Sequence, residues 1–205
     1  MGRKKQNPQD SAKRALILKR AAKMFMSQGY TLVSMDALAE AVPVSKRTLY
    51  NHFKDKKAIF TAVMEARCQT LFHQLEKSLQ GDKSVEETLT QIGRQFLDLV
   101  MEADSINIYR TAITESKHFP ELGKLFYESG PARSKAVLTD YMNKMHAMGK
   151  LRITHSGLAT DMFLNMLKGG THMQRLLGVK KRVSDEEKDE IVHYAVQVFL
   201  YGQMP

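Results

Sequence analysis

The chain has 205 residues, 43% of them hydrophobic, a single cysteine and a formal net charge of +9. That length suits one or two domains with a sizeable core. Cys68 alone rules out an internal disulfide and a cysteine-built metal cage, no apolar run approaches the roughly 18 residues of a membrane span, and Met1–Asp10 carries charge without the apolar segment of a secretory signal. A reducing, cytoplasmic setting is expected, with no cofactor, no metal and no membrane contact. The charge is lopsided. Residues 1–60 hold 13 Lys or Arg against 4 Asp or Glu, whereas residues 61–205 hold 18 of each. A basic head (1–60) on a neutral body (61–205) fits a polyanion-binding module joined to a separate scaffold.

The elements read as helices from end to end, so the expected fold class is all-α. Met1 to Pro8 reads as a basic arm. From about Asp10 to Gln28, Ile17, Ala21 and Phe25 recur on one face, and Gly29 should close that helix. Ser34 reads as the N-cap of a short second helix to Val42. After Pro43 a third short helix starts near Ser45. Asp55 opens a long fourth helix, with Ile59, Phe60, Val63, Met64, Leu71, Phe72, Leu75 and Leu79 as its stripe, ending near Gly81. Ser84 to Glu87 has the form of a capping box and opens a helix to about Asp104. Further helices follow over 106–116, from Phe119-Pro120 to Gly130, from Pro131 to Gly149, and over 157–177, with Gly169-Gly170 as a weak point. Ser184 to Glu187 is a second capping box before a last helix to Tyr201.

Two short helices across a tight turn, preceded by a longer one, form a helix-turn-helix arrangement. The third helix would bury Leu49 and Phe53 and leave its other side chains for contact. Lys46, Arg47 and His52 can donate to anionic oxygens. Thr48, Tyr50 and Asn51 both donate and accept, which suits phosphates or base edges. Lys56, at the positive end of the fourth helix, marks a phosphate site.

The stretches ILKRAAKMFMSQGY, SMDALAEAV and VSKRTLYNHFKDKKAIFTAV, between Ile17 and Val63, resemble the DNA-binding domain of TetR-family transcriptional regulators. The resemblance implies a three-helix head, a connecting fourth helix and a helical body that binds a ligand and dimerises. It also implies phosphate contacts by Ser34 and Lys56, and a recognition helix carrying Lys46, Arg47, Thr48, Tyr50, Asn51 and His52. The family usually has glycine in the turn where this chain has Pro43. Proline is fixed near −65° and pushes Val42 toward extended geometry, so the turn must be made differently. The stretch IYRTAITESKHFPELGKLFYESGPARSKAVLTDYM, with LLGV and VFLYG beyond it, is similar to the C-terminal domain of AefR-like members.

The body shows no nucleotide-binding glycine motif, phosphate loop or zinc-protease motif, so no enzyme is expected. Cys68 reads as a structural thiol, and Arg110 and Glu115 as an ion pair or separate surface contacts. Met101, Tyr109, Phe126, Tyr127, Met166 and His172 are the candidate ligand pocket, because they add aromatic, soft or polar groups to the body helices. Val192, Ala195, Val196, Phe199 and Leu200 form an apolar face on the last helix and are the candidate dimer interface. The expected partners are double-stranded operator DNA with a pseudo-palindromic site, a second copy of the chain, and a small, largely apolar effector. The expected function is a dimeric repressor released from DNA by that effector. An activator, a ligand-independent regulator and a sequence-independent architectural DNA-binding protein are the alternatives.

Overall fold

The computed structural model describes residues 8–79 and 82–202. The arm expected at the N-terminus, the helix end expected at Gly81 and the side chain of Leu71 lie outside what is described. Among the described residues there are ten helices and no strand. They are α1 (Pro8–Leu32), α2 (Met35–Ala41), α3 (Lys46–His52), α4 (Lys56–Ser78), α5 (Val85–Val100), α6 (Ala103–Ser116), α7 (Pro120–Ser129), α8 (Pro131–Ala147), α9 (Ser156–Leu177) and α10 (Asp185–Tyr201). No helix among the described residues is long and apolar enough to cross a membrane.

Local chemistry sets the helix ends. Gly29 (φ 81°, ψ 165°) breaks α1, a backbone geometry that essentially only glycine adopts. The Ser34 hydroxyl accepts from the Ala37 N–H at 3.0 Å, and the Ser45 hydroxyl from the Thr48 N–H at 3.1 Å. Between them, Val42 is extended (φ −109°, ψ 135°) and its carbonyl accepts from the Val44 N–H at 2.7 Å. That two-residue span is an inverse γ-turn centred on Pro43, whose fixed φ suits it. The turn thus needs no positive φ, and among the described residues no non-glycine residue has one. The Ser84–Glu87 capping box forms in full. The second forms by half: the Ser184 hydroxyl accepts from the Glu187 N–H, but the Glu187 carboxylate instead takes the Lys180 ammonium at 2.5 Å.

The chain divides into two compact units, with boundaries inside α4, α6 and α7. The first comprises residues 1–67 and 111–126. Its core holds Ile17, Ala21, Leu38, Leu49 and an aromatic group of Phe25, Tyr30 and Phe60, with the half-buried Phe119 ring against Tyr30. Phe60 meets Phe25 and Tyr30 edge-on at 5.3 and 5.2 Å. The buried Glu115 carboxylate accepts from the Thr31 hydroxyl at 2.6 Å and the Thr31 N–H at 3.2 Å. This fixes the segment just past the Gly29 break.

The second unit comprises residues 68–110 and 127–205. In it α10 lies on α5 and α9, and α8 on α9. Here one sequence expectation is corrected. Val192, Ala195, Val196, Phe199 and Leu200 are buried in this chain's own core, Val196 with 1% exposure. They are therefore not a free dimer surface. Apolar periodicity shows that a helix face is covered, not which element covers it.

Two arginines hold helix C-termini in this unit. Arg110 donates to the carbonyls of Leu176 (2.8 Å) and Arg175 (2.9 Å) at the end of α9. Arg175, itself buried, donates to the Met101 carbonyl at 2.9 Å and to the carbonyls of Lys180 and Lys181. Cations at these ends also suit the helix dipole. Arg110 and Glu115 thus serve separate contacts.

Candidate nucleic-acid interface and ligand crevice

On α3, Leu49 and the capping residue Phe53 face inward. Lys46, Arg47, Tyr50 and Asn51 are exposed, Tyr50 at 45%. Their spacing of three and four residues makes them one outward face. Lys46 is tied to Asp36 of α2 at 2.5 Å, and that hydrogen bond raises its pKa. Arg47, Tyr50 and Asn51 complete a face with five, one and two N–H or O–H donors, of which Tyr50 and Asn51 also accept.

The other expected contacts are placed differently. Thr48 is half-buried, with its hydroxyl 2.8 Å from that of Ser45. The His52 side chain is 9% exposed, and its Nε2 lies 3.3 Å from Asp10 of α1. It turns toward α1 rather than outward. Ser34 is exposed, and its hydroxyl proton is left to donate while its oxygen caps α2. Lys56 bends back onto the end of α1. Its ammonium donates to the Tyr30 carbonyl at 2.9 Å and sits 4.2 Å from the Tyr30 ring centre. Burial lowers its pKa, against the field of Glu115. Lys54, exposed at the α3–α4 junction, adds a cation that the sequence reading passed over.

In the second unit a narrow crevice of about 10 Å³, room for little more than one water molecule, lies among α4, α5, α8 and α9. Leu75, Leu79, Ile92, Phe96, Val137 and Leu164 line it, with Ser134. None of the six residues expected to form a pocket lines this crevice. Met101 is part of the core, Met166 packs against it, Phe126 is half-buried and Tyr127 is exposed. Apolar character alone did not separate core from cavity wall. Tyr109 and His172 do come together, with ring centres 5.3 Å apart and edge-on.

His172 is 7% exposed, and burial, helped by the charges of Lys168 and Arg175, pushes its pKa down to about 4. Above pH 6.5 the imidazole is neutral in both folded and unfolded chains. Below it, the unfolded chain takes up a proton that the folded one refuses, so stability falls as pH drops toward 4. His172→Phe should remove that loss. Urea melts at pH 7 and pH 4.5 are expected to show wild type losing about 2 to 3 kcal/mol more than the variant. Equal losses would refute the assignment.

Two short capped helices across a tight turn, with a polar face turned outward from a basic unit, define the class: a helix-turn-helix, DNA-binding transcriptional regulator. Comparison with known proteins carries this further. Residues 17–63 match the family described as bacterial regulatory proteins, tetR family, and residues 87–202 match the AefR-like transcriptional repressor, C-terminal domain. The second match spans more than half of the chain, which belongs to the TetR family. A solved TetR-family regulator of Mesorhizobium loti superposes with a TM-score of 0.85 at 24% identity, over 97% of this chain and 100% of that one. The flavonoid-responsive regulator FrrA superposes with a TM-score of 0.78 at 29% identity, over 95% of this chain and 98% of that one. The transcriptional activator FasR of Mycolicibacterium smegmatis is 30% identical over 98 residues, 48% of this chain and 44% of that protein.

Proposed function

We propose that this regulator is a homodimeric repressor, with residues 1–60 as its DNA-binding head and residues 61–205 as its effector-binding, dimer-forming body. It would act in the cytoplasm, where the chromosome lies, and catalyse no reaction. The observation that carries the reading is the exposed α3 face of Lys46, Arg47, Tyr50 and Asn51, held by two serine caps and a buried underside. An α-helix of this width fits the major groove. Ser34 and Lys56 supply phosphate contacts at its flanks, Lys56 by exchanging the α1 carbonyls for a phosphate oxygen. Thr48 and His52 serve chiefly to set the helix. The repressor sign rests on the AefR-like C-terminal match; FasR, an activator, supports the opposite sign.

The test starts from an operator recovered by selection from random duplexes. The double variant Arg47→Ala, Tyr50→Ala should lose about 3 kcal/mol of operator affinity, a hundredfold or more, and most of the preference over random DNA. Lys56→Ala should weaken binding to all sequences and reduce the salt slope by about one. An Arg47, Tyr50 double variant that stays folded and binds as tightly as wild type would sink the head assignment. If wild type shows no preference over random DNA at matched salt, the architectural alternative is right.

The dimer surface is proposed on the outer faces of α9 and α10. Leu158, Met162, Met173 and Leu177 are exposed along α9, and Tyr194, Val198 and Tyr201 recur at four and three residues along α10, Tyr201 being 95% exposed. A monomer would leave this apolar area in water, which stable monomers avoid. Met162→Glu with Val198→Glu places four like charges at a two-fold contact. It should raise the dimer dissociation constant by about a hundredfold, roughly 2.7 kcal/mol. Sedimentation should show wild type as a dimer at micromolar concentration and the variant near the 23.3 kDa chain mass. A monomeric wild type would refute the dimer.

Effector release follows from linkage. A ligand in the body must bind the off-DNA form better than the DNA-bound form, and operator must then weaken ligand binding by the same factor. The response of FrrA to flavonoids supports a ligand-governed reading.

A further inference from the structure

Residues 1–60 hold four carboxylates, Asp10, Asp36, Glu40 and Asp55, against 13 Lys or Arg. Two of the four are placed on α3, one toward each end. Asp36 of α2 bonds the Lys46 ammonium at 2.5 Å, and Asp10 of α1 lies 3.3 Å from Nε2 of His52. Asp55 is occupied in capping α4, where it accepts from the Ala58 N–H at 2.7 Å. Glu40, one turn beyond Asp36 on α2, acts on Lys46 through its field. Arg47, by contrast, has no ion pair among the described residues.

The side chains of Lys46 and Asp36 are 60% and 65% exposed, so their bond adds little to folding. Its effect is on the charge that α3 turns outward. Binding without regard to sequence grows with each phosphate that a free cation neutralises, at about 0.9 unit of salt slope per contact. An ammonium already answered by a carboxylate brings no net charge to that tally. The two groups lie well within the screening length of about 10 Å at 0.1 M salt, so such salt screens the pair weakly. What remains outward on α3 is Arg47 with Tyr50 and Asn51. Arginine and asparagine are the side chains that take guanine and adenine edges with two hydrogen bonds.

We infer that Asp36 is a specificity-determining residue: it acts through Lys46, holding that ammonium off DNA phosphates and so keeping sequence-independent binding low. This rests on the reading of α3 as the DNA-contacting helix. A sequence-independent complex settles wherever phosphates suit its cations, whereas base contacts fix α3 on an operator. Freeing Lys46 therefore strengthens binding to random DNA more than binding to the operator.

The test uses the full chain, fluorescein-labelled random duplexes and the selected operator, with affinity read by anisotropy between about 50 and 200 mM salt. Asp36→Asn should steepen the salt slope on random DNA by about one unit for each head engaged, and raise affinity for it about fivefold or more at 0.1 M. Preference for the operator should fall. Asp36→Glu, which can still reach Lys46, should behave as wild type. Asp36→Asn combined with Lys46→Met should return the slope and the random-DNA affinity to wild-type values. Glu40→Gln makes the same change in net charge without touching the Lys46 bond, and should move the slope less than half as far. All of these substitutions fall on exposed side chains, and thermal melts check that each variant is folded. A slope unchanged by Asp36→Asn, a preference that does not fall, or an equal effect from Glu40→Gln overturns the inference, while a wild-type preference for the operator leaves the head assignment standing. If wild type binds neither duplex, or both alike, the reading of α3 fails and the inference falls with it.

Discussion

Phe60→Ala is expected to destabilise the first unit by about 3 to 5 kcal/mol, the usual range for emptying a buried phenyl site. Phe60 is 1% exposed, and its ring sits edge-on against both Phe25 and Tyr30. Those contacts add to the area it removes from water. Tyr30 in turn carries Lys56 on its ring and carbonyl, so the loss spreads to a proposed phosphate site. Small domains hold only about 5 to 15 kcal/mol in total, so operator binding should fall with the folded fraction on warming. Urea unfolding followed by far-ultraviolet dichroism would measure the cost. A midpoint equal to that of wild type would mean that the aromatic group contributes nothing. Phe60→Leu, which keeps most of the volume, should cost far less.

The second large effect concerns Arg175. Its guanidinium serves the carbonyls of Met101, Lys180 and Lys181, and it is buried. Arg175→Leu keeps the packing of the stem but orphans those acceptors, each of which costs about 1 to 3 kcal/mol when left dry. Water can reach the loop carbonyls more readily than Met101, so a total of about 3 kcal/mol is expected. For a chain of this size that lowers the melting temperature by roughly 6 to 12 °C. Arg175→Lys should recover less than half, since an ammonium cannot span acceptors as a planar fork does. A shift under about 1 °C for the leucine variant would refute the capping role.

What the sequence made legible is what is decided within a few residues. The serine caps at Ser34, Ser84 and Ser184, the helix start near Ser45, the break at Gly29 and the weak point at Gly169 all depend on local backbone chemistry, and each appears where its residue types require. The family assignment was legible for the same reason, since its head is a short contiguous pattern. What was not legible depends on partners distant in the chain. The apolar face of α10 reads identically whether α5 or a second protomer covers it. His52 and Lys56 read as outward cations until Asp10 and the Tyr30 carbonyl are seen beside them. Met101 and Met166 have pocket-like chemistry, but core and cavity differ only in what faces them. Tyr109 and His172 were both named, yet nothing in their spacing announces that the two rings meet.

The γ-turn at Pro43 has a consequence for how the protein meets DNA. A glycine in that turn would be free to swing the recognition helix, and every orientation lost on docking would weaken the complex. Proline removes much of that freedom from the chain before any DNA is present, in the unfolded state as well as the folded one. The ordering is completed at folding rather than at docking. Encounter then samples an already ordered head, so a loosened turn at this position would show itself less in how fast the protein arrives on the proposed operator than in how soon it leaves.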